Sequence, residues 1–134
     1  MYDDVIFSAY KADSTYIENG HYFEGFSGYL TNIGNNFELS NGTFTAPRKG
    51  IYEFSAAASD NYNTHSSLTV QHNDADVVSF WTGSGSIYDA LSFNWIMELQ
   101  QGDTVRLKNT GGLFYCGSGV TNRICIFSGK LINN

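Results

Sequence analysis

Few residues of this 134-residue sequence are of types that do chemistry, and their spacing assembles no familiar catalytic or metal-binding set. His65 and His72 are an odd number of positions apart, so a strand that carried both would point them to opposite faces, and together they are poor zinc ligands. The Asp74-Ala75-Asp76 turn could offer carboxylate oxygens to calcium, but a solvated turn is the commoner use of such a pair. We therefore expect no metal, with calcium as the alternative.

Enzyme motifs are missing as well. Gly25-Phe26-Ser27-Gly28 lacks the spacing of a hydrolase nucleophile elbow, and the glycine- and serine-rich segment 83–86 has no phosphate-loop lysine and no helix pattern after it. A cysteine nucleophile would need a histidine partner, which the sequence does not identify for either cysteine. We therefore expect that the protein is not an enzyme and holds no cofactor.

The two cysteines, Cys116 and Cys125, are separated by a short insert rich in turn-forming residues. Such an insert can fold back and bring the two sulfurs opposite each other, which suits a disulfide across a hairpin and an oxidising compartment. Two buried free thiols are the alternative. Asn41-Gly42-Thr43 is an N-glycosylation sequon, so Asn41 is a candidate for modification and also favours an extracellular protein.

The composition is that of a globular, acidic protein. Hydrophobic residues make up 42% and charged residues 15% of the chain, and 13 acidic against 7 basic residues give a net charge of −6. This length fits a single domain over 1–134, and the negative charge argues against a nucleic-acid partner. No apolar stretch reaches the roughly 18–20 residues of a membrane helix. The N-terminus has no signal-peptide pattern, so the chain is either cytosolic or has lost a leader.

Strand patterns fill the sequence, and helix patterns are nearly absent. Apolar and polar residues alternate over 91–99, which predicts one long strand with a core face, and the turn at 101–103 joins it to a partner strand. Further strands are predicted over 5–10, 44–45, 51–58, 68–72, 77–81 and 124–132. About eight to ten short strands without helices predict an all-β antiparallel sandwich of two sheets, for which the jelly roll is the commonest closed form.

Five segments occur in an order that is typical of one family. They are Val5-Ile6-Phe7-Ser8-Ala9-Tyr10; the spaced residues Leu30, Asn32, Gly34 and Phe37; Gly42-Thr43-Phe44-Thr45-Ala46-Pro47-Arg48-Lys49-Gly50-Ile51-Tyr52-Glu53-Phe54; the segment 99–107; and Phe127-Ser128-Gly129-Lys130-Leu131. The third segment is the most specific. Over nearly its whole length the sequence resembles the globular head domain of complement C1q, in the superfamily of tumour necrosis factor-like jelly rolls.

The resemblance implies a ten-stranded antiparallel jelly-roll sandwich, a homotrimer, secretion and no catalysis. It also implies recognition of carbohydrates or other microbial surface molecules, as in an innate-immune lectin. No Gly-x-y repeat occurs in the sequence, which therefore resembles the stand-alone C1q-domain proteins of invertebrates. The alternative function is that of a cytokine-like trimeric ligand for a protein receptor, which would use the grooves between subunits.

The same resemblance assigns one face of the domain to the threefold axis of a trimer. The residues expected there are Tyr10, Ile51, Glu53, Asn94, Ile96 and Lys130. Lys130 departs from the family, which usually has an aromatic residue at this position. Because three unpaired ammonium groups around one axis would repel, we expect Lys130 to pair with Glu53 or Glu98.

In this fold the variable loops lie at the end opposite the chain termini, here over 11–19, 60–65, 82–88 and 117–123. A carbohydrate site needs an aromatic plate for the sugar ring and short polar side chains for its hydroxyls. The residues expected to supply them are Trp81, Tyr88, Asp60, Tyr62, His65 and Tyr115. The alternative is that Trp81 and Tyr88 only pack at the ends of strands.

Overall fold

The computed structural model describes residues 4–61, 65–82, 89–119 and 123–133, and its regular elements are all strands. They are β1 (Ile6–Lys11), β2 (Tyr16–Ile17), β3 (Gly28–Ile33), β4 (Phe37–Glu38), β5 (Thr43–Thr45), β6 (Gly50–Asp60), β7 (Ser67–His72), β8 (Ala75–Trp81), β9 (Ala90–Leu99), β10 (Thr104–Gly111), β11 (Phe114–Tyr115) and β12 (Cys125–Asn133). The all-β prediction is confirmed. Four strands were not predicted: β2, β4 and β11, because two residues are too few to show alternation, and β3, because its residues do not alternate regularly between buried and exposed.

Two antiparallel sheets form the molecule. In the seven-stranded sheet β9, β6, β12, β1 and β3 lie side by side, and the far end of β6 also pairs with β11, which carries β2. The five-stranded sheet has the order β4, β5, β10, β7, β8. No helix in the described residues is long and apolar enough to cross a membrane.

An aromatic core fills the space between the sheets. Alternate residues of β6, among them Tyr52 and Phe54, point inward and are buried. The Phe7 ring lies 4.5 Å from that of Phe37 and 5.1 Å from that of Phe127, in stacked and edge-on arrangements respectively. Each fully buried phenylalanine stabilises the fold by roughly 1.5–3 kcal/mol, so these rings are a main source of cohesion between the sheets.

Position 129 of β12 faces this core, and a glycine stands there because no larger residue fits. A Cβ atom at this position would lie 2.6 Å from Phe7 Cε1 and 2.6 Å from Phe54 Cδ1, closer than real Cβ contacts come. The two rings belong to the cross-strand neighbours of Gly129 on β1 and β6. The glycine therefore fixes how closely the rings of the two flanking strands approach each other.

The end of the sandwich that holds residues 4–6 and 130–133, termed the terminal end, is closed by hydrogen bonds to Asp103. This carboxylate accepts from the side chains of His72 (2.9 Å) and Asn73 (3.0 Å) and from the main-chain amide of Gln100 (2.9 Å). These bonds, that from Asn73 foremost, lower the pKa of Asp103 to about 2. One carboxylate thereby ties the turn after β7 to the turn after β9.

Candidate functional site

The predicted ligand loops leave from one end of the sandwich, termed the loop end. Here β1 ends opposite the first residue of β12, β6 ends opposite β11, and β8 ends at Trp81 opposite the first residue of β7. This is the end opposite the chain termini, as the resemblance implied. Of the predicted ligand residues, Tyr62 and Tyr88 lie outside the described residues, as do the segments 62–64, 83–88 and 120–122.

Trp81 lies on the outer surface of the five-stranded sheet. Its cross-strand partner is Ser67, and the next residue of β7, Leu68, points into the core. Cross-strand partners share a face, so the indole projects away from the core, and 67% of the residue is exposed. A tryptophan this exposed does not pack at a strand end as a core residue.

Tyr115 lies on the opposite surface of the molecule. On β11 its neighbour Phe114 is buried in the core, so Tyr115 projects from the outer face of the seven-stranded sheet. There its ring centroid is 5.0 Å from that of Tyr16, which is itself exposed. The fold therefore separates Trp81 from Tyr115 by the thickness of the sandwich and does not bring these two aromatics together.

Asp60 is the last residue of β6 and points into the sandwich beneath the loops. It is 0% exposed, and neither carboxyl oxygen has a hydrogen-bond partner within the described residues. The nearby hydroxyl of Thr82 is engaged with the main chain of Ser66, whose amide donates to it at 2.8 Å. Burial raises the pKa of the Asp60 carboxyl. Asp60 is thus buried beneath the loops, whereas the predicted ligand residue His65 is exposed.

A disulfide braces the loop end. Cys116 and Cys125 are bonded, with their Cα atoms 4.9 Å apart, and both residues are buried. The bond ties the segment after β11 to the first residue of β12, which confirms the predicted disulfide and excludes the alternative of free thiols. The other predicted covalent site, Asn41, lies in an exposed turn, where its side-chain oxygen accepts from the Thr43 amide at 3.1 Å. Glycosylation of Asn41 stays a prediction.

The outer face of the seven-stranded sheet carries all six residues predicted for the trimer axis, which are Tyr10, Ile51, Glu53, Asn94, Ile96 and Lys130. Lys130 and Glu53 are cross-strand partners, and their Nζ and Oε1 atoms are 3.7 Å apart, as expected for the lysine. Ile96 is the next residue in the same row, and it is 61% exposed. This face thus offers one ion pair and exposed apolar surface.

A row of uncharged polar residues crosses the middle of this face, and it could not be predicted from the sequence because it depends on strand register. The residues of this polar row, one from each of five strands, are Thr31, Ser8, Ser128, Ser55 and Asn94. The hydroxyls of Ser8 and Ser128 are 2.6 Å apart. The row and the Lys130–Glu53 ion pair together line a shallow groove of about 380 Å³.

A second polar group, also unpredicted, lies beside Trp81 on the outer face of the five-stranded sheet. This hydroxyl tetrad consists of Ser67, Thr69, Ser79 and Thr110. Thr69 is 2.7 Å from Ser79 and 2.8 Å from Thr110, and Thr110 is 2.8 Å from Ser67, all measured between hydroxyl oxygens. The sequence does show that Ser67, Thr69 and Gln71 alternate along one strand and so share a face. The position of Thr110 beside them depends on a bulge in β10, which the sequence does not show.

The two carboxylates considered for calcium are engaged with other side chains. Asp74 forms an ion pair of 2.9 Å with Arg106, and Asp76 accepts a hydrogen bond of 2.8 Å from Gln71. Of the two histidines considered for zinc, His72 is the last residue of β7 and His65 lies just before its first residue. No group of three or more histidine, cysteine or acidic side chains able to hold a metal occurs within the ranges that the structure describes.

Comparison with known proteins identifies the fold and the family. The chain is similar to the structure of the globular domain of zebrafish complement 1qA protein, with a TM-score of 0.78 and 20% identity over 98% of this chain and 100% of that one. It is also similar to the crystal structure of murine APRIL, with a TM-score of 0.71 and 12% identity over 96% and 99% of the two chains. These likenesses show the jelly-roll fold. The family model of the C1q domain matches residues 6–132, so the chain belongs to the C1q domain family.

Proposed function

We propose that this protein is a secreted, homotrimeric recognition protein of innate immunity that binds carbohydrate or microbial surface ligands near the loop end. The observation that carries the proposal is Trp81, an aromatic side chain left 67% exposed at the end of an edge strand. Exposed aromatic rings are the usual platforms for the apolar face of a sugar. The C1q domain family is a non-enzymatic ligand-binding family, which supports binding as the activity.

The trimer rests on the outer face of the seven-stranded sheet. C1q-like and tumour necrosis factor-like homologues are typically trimers, and this face carries the exposed Ile96 beside the Lys130–Glu53 ion pair. Pairing within one protomer neutralises the lysine before assembly, so three protomers can meet without repulsion between ammonium groups. In solution, light scattering should give about three times 14.8 kDa.

The affinity of each site should be weak, on the order of micromolar to millimolar, because an open surface excludes little water. A trimer presents three copies of Trp81 to one microbial surface, and simultaneous binding would raise the apparent affinity through multivalency. This is why the ligand should be a repeated surface structure and not a single small molecule in solution.

A glycan array, read with and without calcium, tests the proposal. The wild-type trimer should bind a subset of glycans, and Trp81→Ala should abolish this binding while leaving the trimer intact. Val77→Ala is the matched control, because Val77 is also exposed and lies on the same face of the same strand. Its binding should equal that of the wild-type protein.

The cytokine-like alternative makes different predictions for the same variants. A ligand of a protein receptor would bind no glycan on the array and would contact its receptor through grooves between subunits, away from Trp81. Unchanged glycan binding by a folded Trp81→Ala trimer would show that Trp81 is not part of the site, and the grooves between subunits would be the next location to test. An unfolded Trp81→Ala variant would assign the side chain a structural role.

A further inference from the structure

The ligand-binding surface around Trp81 can be assigned in more detail, on the assumption that the proposed function holds. We propose that Trp81 and the hydroxyl tetrad form one site for a pyranose sugar, in which the ring stacks on the indole and its hydroxyls exchange hydrogen bonds with the tetrad. This surface is the outer face of the five-stranded sheet, so the site lies beside the loops and not among them.

The strand register brings the tetrad to Trp81. Ser67 is the cross-strand partner of Trp81, so the two side chains lie about 5 Å apart at their Cβ atoms on one face. Ser79 precedes Trp81 by two residues on β8 and therefore projects from the same face about 7 Å away. These two serines are the ends of the hydrogen-bonded chain, so both ends of the tetrad border the indole.

The hydrogen-bond count leaves the tetrad with a proton to donate. Each of its four hydroxyls has one proton. The three hydroxyl-to-hydroxyl contacts use three of them, and the fourth is free for a ligand when Thr110 gives up its long contact of 3.4 Å to the main-chain oxygen of Ser67. Because a hydroxyl can donate or accept, the chain can present either a donor or an acceptor at its exposed end, Ser79, whereas its other end, Ser67, is buried. Sugar hydroxyls have the same dual character, which makes them suitable partners for such a chain.

Burial holds the tetrad in place before a ligand arrives. Ser67 and Thr69 are buried although they lie on the outer face of the sheet, whereas Ser79 is exposed and Thr110 half-buried. The two buried members fix the orientation of the two accessible ones. A ligand would therefore order few side chains on binding, which lowers the entropic cost of recognising a weakly held sugar.

A buried acceptor beside the tetrad supports a ligand independently. Gln71 follows Thr69 on the same face of β7 and is only 5% exposed. Its amide nitrogen donates to Asp76, whereas its amide oxygen has no donor within the described residues. A buried carbonyl oxygen without a donor costs free energy, which a hydroxyl from a ligand would recover.

The test titrates methyl glycosides of glucose, galactose, mannose and N-acetylglucosamine into the isotope-labelled trimer and follows amide and indole NMR signals. At least one glycoside should shift the Trp81 indole signal together with the backbone amides of Ser67, Ser79 and Thr110. The double variant Ser79→Ala/Thr110→Val should weaken that binding at least tenfold. Thr45→Val is the matched control, because Thr45 is an exposed threonine near the terminal end of the same sheet, and it should bind unchanged.

The outcomes separate this site from the broader proposal. If a glycoside shifts Trp81 but not the tetrad amides, or if the double variant binds like the wild-type protein, the tetrad is not part of the site and glycan recognition through Trp81 still holds. If the glycosides shift only residues on the seven-stranded sheet, the proposed location is wrong. If neither the glycosides nor the array glycans bind, both proposals fail together.

Discussion

The two ends of the sandwich each contain an aspartate with a shifted pKa, and the two shifts are opposite in direction. Asp103 at the terminal end accepts three hydrogen bonds, and its pKa falls to about 2. Asp60 at the loop end is fully buried without a hydrogen-bond partner in the described residues, and its pKa is raised. The terminal end is thus built for stability, whereas the loop end retains an electrostatic cost beneath the variable loops.

Replacing Asp103 by Ala should have the largest effect on stability, because this carboxylate holds two turns together at the terminal end. Loss of the three hydrogen bonds to a charged acceptor should lower the free energy of unfolding by about 3 kcal/mol, measured by urea denaturation. Asp74→Asn is the control, since it removes the charge of the more exposed ion pair with Arg106, keeps a residue that tolerates the φ of 66° at this position, and should cost under about 1 kcal/mol. Equal losses in the two variants would show that Asp103 does not close this end.

The pH dependence of stability gives a second test of Asp103. Its folded-state pKa of about 2 lies below the unfolded value of about 3.9, so its contribution is present above the unfolded value and lost as the pH falls towards 2. Between pH 5 and pH 2 the wild-type protein should therefore lose more stability than Asp103→Ala. Parallel pH profiles for the two proteins would contradict the lowered pKa.

Removing the disulfide should come next and should act on the loop end alone. Cys116→Ser/Cys125→Ser opens a short loop, and we expect a loss of about 2–3 kcal/mol. Hydrogen exchange should become faster around 114–119 and 123–127 while the amides bonded to Asp103 stay protected. Uniformly faster exchange would mean that the two ends are not independent. Free-thiol titration of the denatured, unreduced wild-type protein should find no thiol.

Asp60→Asn should stabilise the protein, the opposite of the effect expected for Asp103→Ala. The neutral amide avoids burying a charge, and we expect a gain of about 1 kcal/mol at pH 7, read as a rise in Tm of a few degrees. Because the folded-state pKa of Asp60 is raised, its carboxyl favours folding most below the unfolded pKa, and this contribution is lost as the pH rises. The gain should therefore shrink towards pH 3.

The control for Asp60 is a second aspartate at the loop end. Asp13 pairs at 2.7 Å with the ammonium of Lys11, which is largely buried, so Asp13→Asn should destabilise the protein where Asp60→Asn stabilises it. Stabilisation by both substitutions would indicate relief of the general negative charge and would remove the special role of the buried carboxyl.

The smallest effect is expected at the Lys130–Glu53 pair, on the outer face of the seven-stranded sheet. Lys130 is exposed and Glu53 is half-buried in the protomer, and their 3.7 Å contact should contribute at most about 0.5 kcal/mol in a double-mutant cycle. The variants Lys130→Ala and Glu53→Gln are compared singly and together by urea denaturation at low protein concentration. A coupling of several kcal/mol would mean that this surface ion pair matters as much to stability as Asp103.

The sequence predicts which face of a strand is buried better than it predicts which residues of neighbouring strands pair. Alternation over 91–99 was enough to assign a core face to Phe93 and Trp95, which are half-buried, against the exposed Asn94 and Ile96. The C1q resemblance and the disulfide were likewise readable, because they depend on residue order and short spacing. These features arise from neighbours in the chain, which a sequence displays directly.

The candidate site was predicted only in part, because it depends on which strands lie side by side. Trp81 was identified by type, but its partners in the hydroxyl tetrad come from β7 and β10, and the tetrad includes a bulge residue. The sequence predicts Asp60 in the variable loop 60–65, as an accessible residue of the ligand site. Its burial follows from the inward parity of β6, which continues to the last residue of that strand.

Gly129 and Lys130 together protect the chain from misfolding. If β12 slipped by one residue against its neighbours, every side chain of the strand would change face, and the ammonium of Lys130 would enter the space between Phe7 and Phe54 that now admits only a glycine. The slipped pairing would bury an unpaired charge and expose Phe127 to water. The slipped register is therefore much less stable than the native one, so the sequence of β12 itself disfavours incorrect pairing.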